Sequence, residues 1–259
     1  MMESMKKPLI LVTNDDGIYA PGIEALIGAL QGLGDVKIVA PLTEMSAVGH
    51  AITLSDPLRV KEVERDGAFF GLAVNGTPAD CVKLAINCLL EKAPDIIVSG
   101  INAGSNTATN VIYSGTVSAA AEGAIYGIPS IAISLTSFSY KDFSYAAKVA
   151  LQIASQVLLN GLPERTVLNI NVPAVPEAEI KGVRITRQGK GRYEEEFDKR
   201  QDPQGRTYYW MAGKRQILDF DGDVDDIAVA ENYVAVTPIH YDLTHHAFIK
   251  DLGLWQLKP

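Results

Sequence analysis

Asp15 and Asp16 are neighbouring carboxylates that follow a run of apolar β-formers, Leu9-Ile10-Leu11-Val12, and are flanked by Asn14 and Gly17. Along a strand, adjacent side chains point to opposite faces, so two such carboxylates could not share a ligand there. A turn opened by Asn14 and Gly17 breaks the alternation and lets them converge. At a few ångströms their charges repel by roughly 4 kcal/mol at an effective dielectric of about 20. A positive partner must offset that, or one carboxylate stays protonated. Mg²⁺, which takes one or two carboxylates plus water and substrate phosphate, is the simplest partner. The plainer alternative is an Asx-rich surface turn.

Three further segments carry polar, small residues that could join this pair: Pro41–His50, Asn75-Gly76-Thr77 and Gly100–Asn106. Neutral oxygens from Ser46 and Asn102, added to Asp15 and Asp16, make a hard-ligand set suited to Mg²⁺ or Mn²⁺. No Cys/His cluster has zinc spacing. Tyr113-Ser114-Gly115-Thr116 opens a helix of small residues. Its free N–H groups, with the Ser114 and Thr116 hydroxyls, suit a phosphate. Asn14, at the mouth of the first turn, belongs with these substrate-facing groups. His50 sits in the metal-side loop, where it would line the site. Asp15 or Asp16 is the expected proton acceptor for an attacking water. Ser114 has no visibly paired histidine, which disfavours a covalent route.

Positioning such groups requires a scaffold whose loops gather at one edge. Leu9–Thr13 reads as a buried strand. Pro21 opens a helix with Ile23, Leu26, Ile27 and Leu30 on one face, ended by Gly32 and Gly34, before a strand at Val36–Ala40. Thr77-Pro78-Ala79-Asp80 is a helix-start signature, followed by the stripe Cys81, Leu84, Ala85, Cys88 and Leu89. Asp95–Ser99 and Ser130–Leu135 are short apolar strands with a helix between them from about Thr116 to Tyr126. Phe143–Asn160 is an amphipathic helix stopped by Gly161, and Val167–Val172 another strand. The expected fold is α/β, a Rossmann-like, doubly wound, mostly parallel sheet whose ligands lie beyond the carboxyl ends of its strands. Residues 1–188 would form this catalytic core. From Gly189 the chain turns polar, with Tyr208-Tyr209-Trp210 reading as one arm of a protruding hairpin, while no periodicity assigns 193–206. A hairpin standing off a core needs a second chain over its apolar face, so 189–259 reads as an oligomerisation segment.

The 259 residues suffice for a sizeable core, and 47% hydrophobic with 21% charged content is ordinary for a globular enzyme. A net charge of −8 argues against a nucleic-acid partner. Cys81 and Cys88 would share a helix face about two turns apart, too far for a disulfide, and read as buried free thiols in a reducing cytoplasm. The stretch after Met1–Lys7 is too short for a signal sequence, and no run reaches membrane-spanning length. Asp219-Phe220-Asp221-Gly222-Asp223 looks like a phosphatase nucleophile motif, but such a motif begins a fold and here stands near the end. It also fails as a calcium loop, since Asp226 replaces the required glycine. His240, His245 and His246 lack metal spacing. No Gly-x-Gly-x-x-Gly or P-loop pattern is present.

Taken together, Thr13-Asn14-Asp15-Asp16-Gly17, the loop Ala40-Pro41 to Ser46 with Gly49–Thr53, Val74–Asp80, Ser99–Gly104 and Tyr113–Ala120 resemble the survival protein E (SurE) family. Tyr233–Pro238 and Asp242-Leu243-Thr244 extend the resemblance to nearly the whole chain. It implies a metal-dependent nucleotidase acting on nucleoside 5′- and 3′-monophosphates, with short polyphosphate as a further substrate. By motif, the metal ligands fall on Asp15, Asp16, Ser46 and Asn102, and phosphate contacts on Asn106 and Ser114–Thr116. Exchange of C-terminal segments in a homodimer or homotetramer is also implied. A non-catalytic nucleotide-binding module is the alternative. Ala47 stands where glycine is frequent, and Asn232 and Ala235 where glycine and serine are.

Overall fold

All five residues of β1 (Leu9–Thr13) are buried, as expected of an apolar run covered by helices on both faces. The computed structural model describes residues 7–257; Met1–Lys6, most of the N-terminal stretch considered above for a signal sequence, lie outside them. After β1 come α1 (Pro21–Leu30), β2 (Asp35–Pro41), β3 (Val60–Arg65), β4 (Ala68–Val74), α2 (Pro78–Leu84), β5 (Ile96–Ala103), α3 (Asn110–Tyr113) and α4 (Gly115–Ile125). The chain continues through β6 (Ser130–Leu135), α5 (Ser144–Asn160), β7 (Thr166–Val172), β8 (Val183–Ile185), β9 (Arg192–Gln201), β10 (Thr207–Gln216), α6 (Asp225–Ala230), β11 (Val234–His240) and α7 (Ile249–Leu252).

The main sheet has nine strands in the order β3-β4-β2-β1-β5-β6-β7-β11-β8. Its central strands, β4 to β7, are parallel, and β3 and β11 pair antiparallel with β4 and β7. From β1 the chain first winds one way, to β2 and β4, then returns to β5 on the other side. The crevice between β1 and β5 is therefore the topological switch point, where open α/β sheets bind ligands. Ile10 and Val12 pack with α1 and α5 on one face, while Leu11 packs with Cys81, Val82 and Ala119 of α2 and α4 on the other.

The α2 start forms as the sequence indicates. Thr77 Oγ1 accepts from the Asp80 N–H at 3.1 Å and Asp80 Oδ2 accepts from the Thr77 N–H at 2.9 Å, a reciprocal capping box. Thr53 adds its N–H and hydroxyl to the same carboxylate. Burial pushes the Asp80 carboxyl up, but these bonds from Thr53 and Thr77 outweigh it and hold it below its usual range.

Two expectations need correction, and two strands, β3 and β9, lie where the sequence reading assigns none. Cys88 is exposed, although Cys81 is buried. α2 runs into a π-helical turn, Ala85–Leu89, closed by the Leu90 N–H on the Ala85 carbonyl at 2.9 Å, and the wider turn rotates Cys88 off the apolar stripe. β5 does not end at Ser99 but runs on to Ala103, its pairing with β6 shifting between Ser99 and Asn102. The edge strand β3, mostly charged and exposed, lacks apolar alternation, though Asp66-Gly67 between it and β4 is a hairpin turn signal. The unassigned residues 193–206 supply β9, which pairs with β10 along its length as an exposed ribbon. Beyond the ribbon, Arg187 is clasped by Asp219, Asp221 and Asp223, and β11 rejoins the main sheet. Among the described residues, no helix is long and apolar enough to cross a membrane.

Candidate active site

The turn after β1 is closed by Asn14, whose Nδ2 donates to the Gly17 carbonyl at 2.9 Å. Gly17 has φ +92°, and a Cβ there would lie 3.2 Å from the Thr43 carbonyl carbon, so the turn needs glycine on both counts. The turn sends its two carboxylates to different anchors. Asp15 faces the start of α4 and takes the Thr116 hydroxyl on Oδ1 at 2.5 Å. Asp16 faces the end of β5, where Oδ2 accepts from the Ala103 N–H at 2.9 Å. Each therefore ties β1 to an element on the other side of the switch point.

Both carboxylates resist ionisation. Burial pushes Asp15 up despite the Thr116 hydrogen bond. Burial raises Asp16 to about 6, opposed by the Ala103 N–H and reinforced by the charges of Asp15 and Glu44. The α4 N-terminus supplies only the partial positive charge of a helix dipole. The site thus has an excess of negative charge that a cation would relieve.

The remaining donors are consistent with a hard cation. Asn14 Oδ1 is buried without a hydrogen-bond partner. Asn102 Nδ2 donates to the Gly104 carbonyl at 2.8 Å, which turns its amide oxygen away from that bond. Among the described residues no three His, Cys, Asp or Glu side chains gather as a metal-binding group, so ligands beyond the two aspartates would be neutral oxygens. Ser46 lies one residue beyond Met45, whose N–H donates to the Asp15 carbonyl at 2.7 Å. Its hydroxyl is exposed and bonded to Glu44 Oε1 at 2.7 Å, so it would have to turn to serve as a ligand. Ala47 beside it has φ +57°, which explains why glycine suits that position.

Ser114 caps α4, its Oγ accepting from the Val117 N–H at 3.1 Å. The Thr116 hydroxyl and N–H both face Asp15, so the first-turn N–H left for an anion is that of Gly115. Asn106 is fixed over the ends of β6 and β7: its Nδ2 donates to Ser134 Oγ, its N–H to Asn171 Oδ1, and its carbonyl accepts from Asn169 and Asn171. His50 points elsewhere. Its Nε2 meets Glu122 Oε2 at 2.8 Å, beside Lys83, about two helical turns along α4 from Thr116.

The structure therefore gathers Asn14, Asp15, Asp16, Asn102, Ser114, Gly115 and Thr116 at one edge, with Ser46 and Asn106 alongside. Sequence reasoning missed Glu44, the partner of Ser46, and the Asn169, Asn171 and Ser134 supports. The last three had a signal, since polar side chains inside buried strands need partners.

The family model described as survival protein SurE matches residues 10–195. The chain is 50% identical over 257 residues to 5′-nucleotidase SurE of Chlorobium limicola, covering 99% of this chain and 100% of that one. It is 53% identical over 248 residues to 5′-nucleotidase SurE of Syntrophobacter fumaroxidans, covering 96% of this chain and 99% of that one. The crystal structure of the SurE protein from Aquifex aeolicus superposes with a TM-score of 0.83 at 44% identity, covering 95% of this chain and 98% of that one.

Proposed function

The chain belongs to the survival protein SurE family and is a 5′-nucleotidase, and from that premise we propose a metal-dependent phosphomonoesterase for nucleoside 5′- and 3′-monophosphates. Short polyphosphate is a further substrate of the same site. The observation that carries this reading is the pair of Asp15, buried, and Asp16, half-buried, short of positive charge and beside the N-terminus of α4.

Asp15, Asp16 and Asn102, with Ser46 after rotation of its hydroxyl, would hold Mg²⁺ or Mn²⁺. Such a cation supplies Lewis-acid polarisation of the phosphate and lowers the pKa of a bound water. The Gly115 N–H, at the start of α4, holds a phosphate oxygen as charge spreads in the transition state. Thr116 fixes Asp15, and Asp16, held on one oxygen by Ala103, is the freer carboxylate to take the proton of the attacking water. Asn106 lies at the same edge on a rigid support, where its amide can orient the substrate.

Phosphate release from a panel of 5′- and 3′-monophosphates tests this, with EDTA and then Mg²⁺ or Mn²⁺ added back. Release lost with EDTA and restored by metal is expected. Nucleotide binding without release under any metal would instead leave a binding module.

We also infer a homodimer or homotetramer in which the ribbon and C-terminal segment pack on a second copy. Phe197, Tyr209, Trp210 and Met211 of the ribbon are exposed, as are Leu254 and Trp255, and burying such side chains contributes about 1.5–3 kcal/mol each. Sedimentation at micromolar concentration should give at least twice the chain mass; a well-folded monomer would remove the inference. The free thiols of Cys81 and Cys88 fit a reducing cytoplasm.

A further inference from the structure

A nucleoside monophosphate presents a flat aromatic base as well as a phosphate, and none of the groups assigned so far recognises it. Beyond the carboxyl end of β6, at the same edge as Asp15 and Asp16, Phe138 is 77% exposed. A lone exposed phenyl ring is common on protein surfaces and needs no explanation by itself. This ring is distinguished by its seat. Its distal atoms lie over Gly104: a Cβ there would be 2.7 Å from both Cε1 and Cζ. The Gly104 carbonyl receives the Asn102 amide, its N–H donates to the Leu135 carbonyl, and the preceding residue, Ala103, holds Asp16. The ring therefore rests on the peptide segment that fixes two of the residues assigned to the metal and phosphate.

The loop that carries it is braced. Ser137 donates its N–H to the Leu135 carbonyl at 2.7 Å, and its Oγ accepts from the N–H groups of Ser139 and Tyr140, both at 3.1 Å. Thr136–Tyr140 is uncharged, so nothing in the segment repels an anionic substrate or demands a charged ligand. An aromatic face held on such a loop suits stacking with a base, which tolerates different bases because each has a π-face.

We propose that Phe138 is the platform on which the nucleobase of the substrate stacks, making it a specificity-determining residue of the nucleotidase. The proposal rests on the hydrolytic edge at Asp15 and Asp16. It predicts preference for purine over pyrimidine monophosphates, because the purine face is larger.

Phe138→Ala and Phe138→Trp are compared with wild type on purine and pyrimidine 5′-monophosphates and on ribose 5-phosphate, which lacks a base. In F138A the KM for purine monophosphates rises about tenfold, in line with the cost of removing a stacking partner, with kcat nearly unchanged. The kcat/KM for ribose 5-phosphate stays at the wild-type value. F138W restores the nucleotide KM, and its added indole fluorescence is quenched when nucleotide is titrated in. Equal losses on nucleotides and ribose 5-phosphate would overturn the platform, because the ring would then act only through Gly104. Unchanged nucleotide kinetics in F138A would overturn it too. Wild-type turnover of ribose 5-phosphate as efficient as that of nucleotides would overturn it while leaving the hydrolytic edge intact. No release from either substrate with metal supplied would remove the edge itself and the platform with it.

Discussion

Asp16→Asn lowers phosphate release by about a thousandfold or more, while the metal-free chain becomes harder to unfold. The loss follows from the several kcal/mol that a divalent cation contributes to a phosphoryl transition state, since each 1.36 kcal/mol is a factor of ten. Asparagine keeps an oxygen for the Ala103 N–H but removes the charge that would hold the cation. The gain in stability comes from the same charge. Burial, with Asp15 and Glu44 nearby, raises Asp16 from 3.8 to about 6 in the folded chain. The folded state therefore holds this proton more tightly than the unfolded state does. Wild-type stability falls as pH rises through the window from about 4 to 6, by on the order of 2 kcal/mol, and the penalty is absent below it. Urea unfolding in EDTA should show D16N and wild type equal near pH 3.5 and D16N more stable at pH 7. Normal turnover in D16N would sink the site assignment.

Gly115→Ala is expected to lower kcat about a hundredfold and to cost about 1–3 kcal/mol of stability. A Cβ at Gly115 would sit 2.8 Å from Asp15 Cβ, 3.0 Å from its Oδ2 and 3.2 Å from Pro78 Cγ. None of these atoms is the end of a long, flexible side chain, so the start of α4 or Asp15 itself must shift. The Thr116 hydrogen bond to Asp15 and the Gly115 N–H facing the phosphate shift with it, and misplacement by about 1 Å can cost a hundredfold in rate. Steady-state kinetics beside a urea midpoint separate the two effects. Wild-type kcat in G115A would show that close contact between α4 and Asp15 is not required for the reaction.

Much of the scaffold was legible because local rules decide it. The i, i+3, i+4 spacing of Ile23, Leu26, Ile27 and Leu30 marks α1, and Thr77-Pro78-Ala79-Asp80 marks the capped start of α2. The continuous apolar run at Leu9–Val12 marks a strand buried on both faces. The Asn14–Gly17 turn was legible for the same reason, since its closing hydrogen bond spans only three residues. Where the rules are local but a helix changes its winding, as at Ala85–Leu89, the apolar stripe misplaces Cys88.

By itself, then, the sequence determined the α/β alternation, the carboxylate pair on its turn and the small-residue helix that faces it. Only the tertiary structure decided that Thr116 reaches across 101 positions to Asp15, that Glu44 holds the Ser46 hydroxyl, and that Glu122 draws His50 down the flank of α4. It also decided that Phe138 lies over Gly104. Periodicity and capping act within a few residues of the chain, so composition and spacing encode them directly. Contacts between loops at a sheet edge depend on strand order and register, and those are fixed only when distant strands bury their faces together.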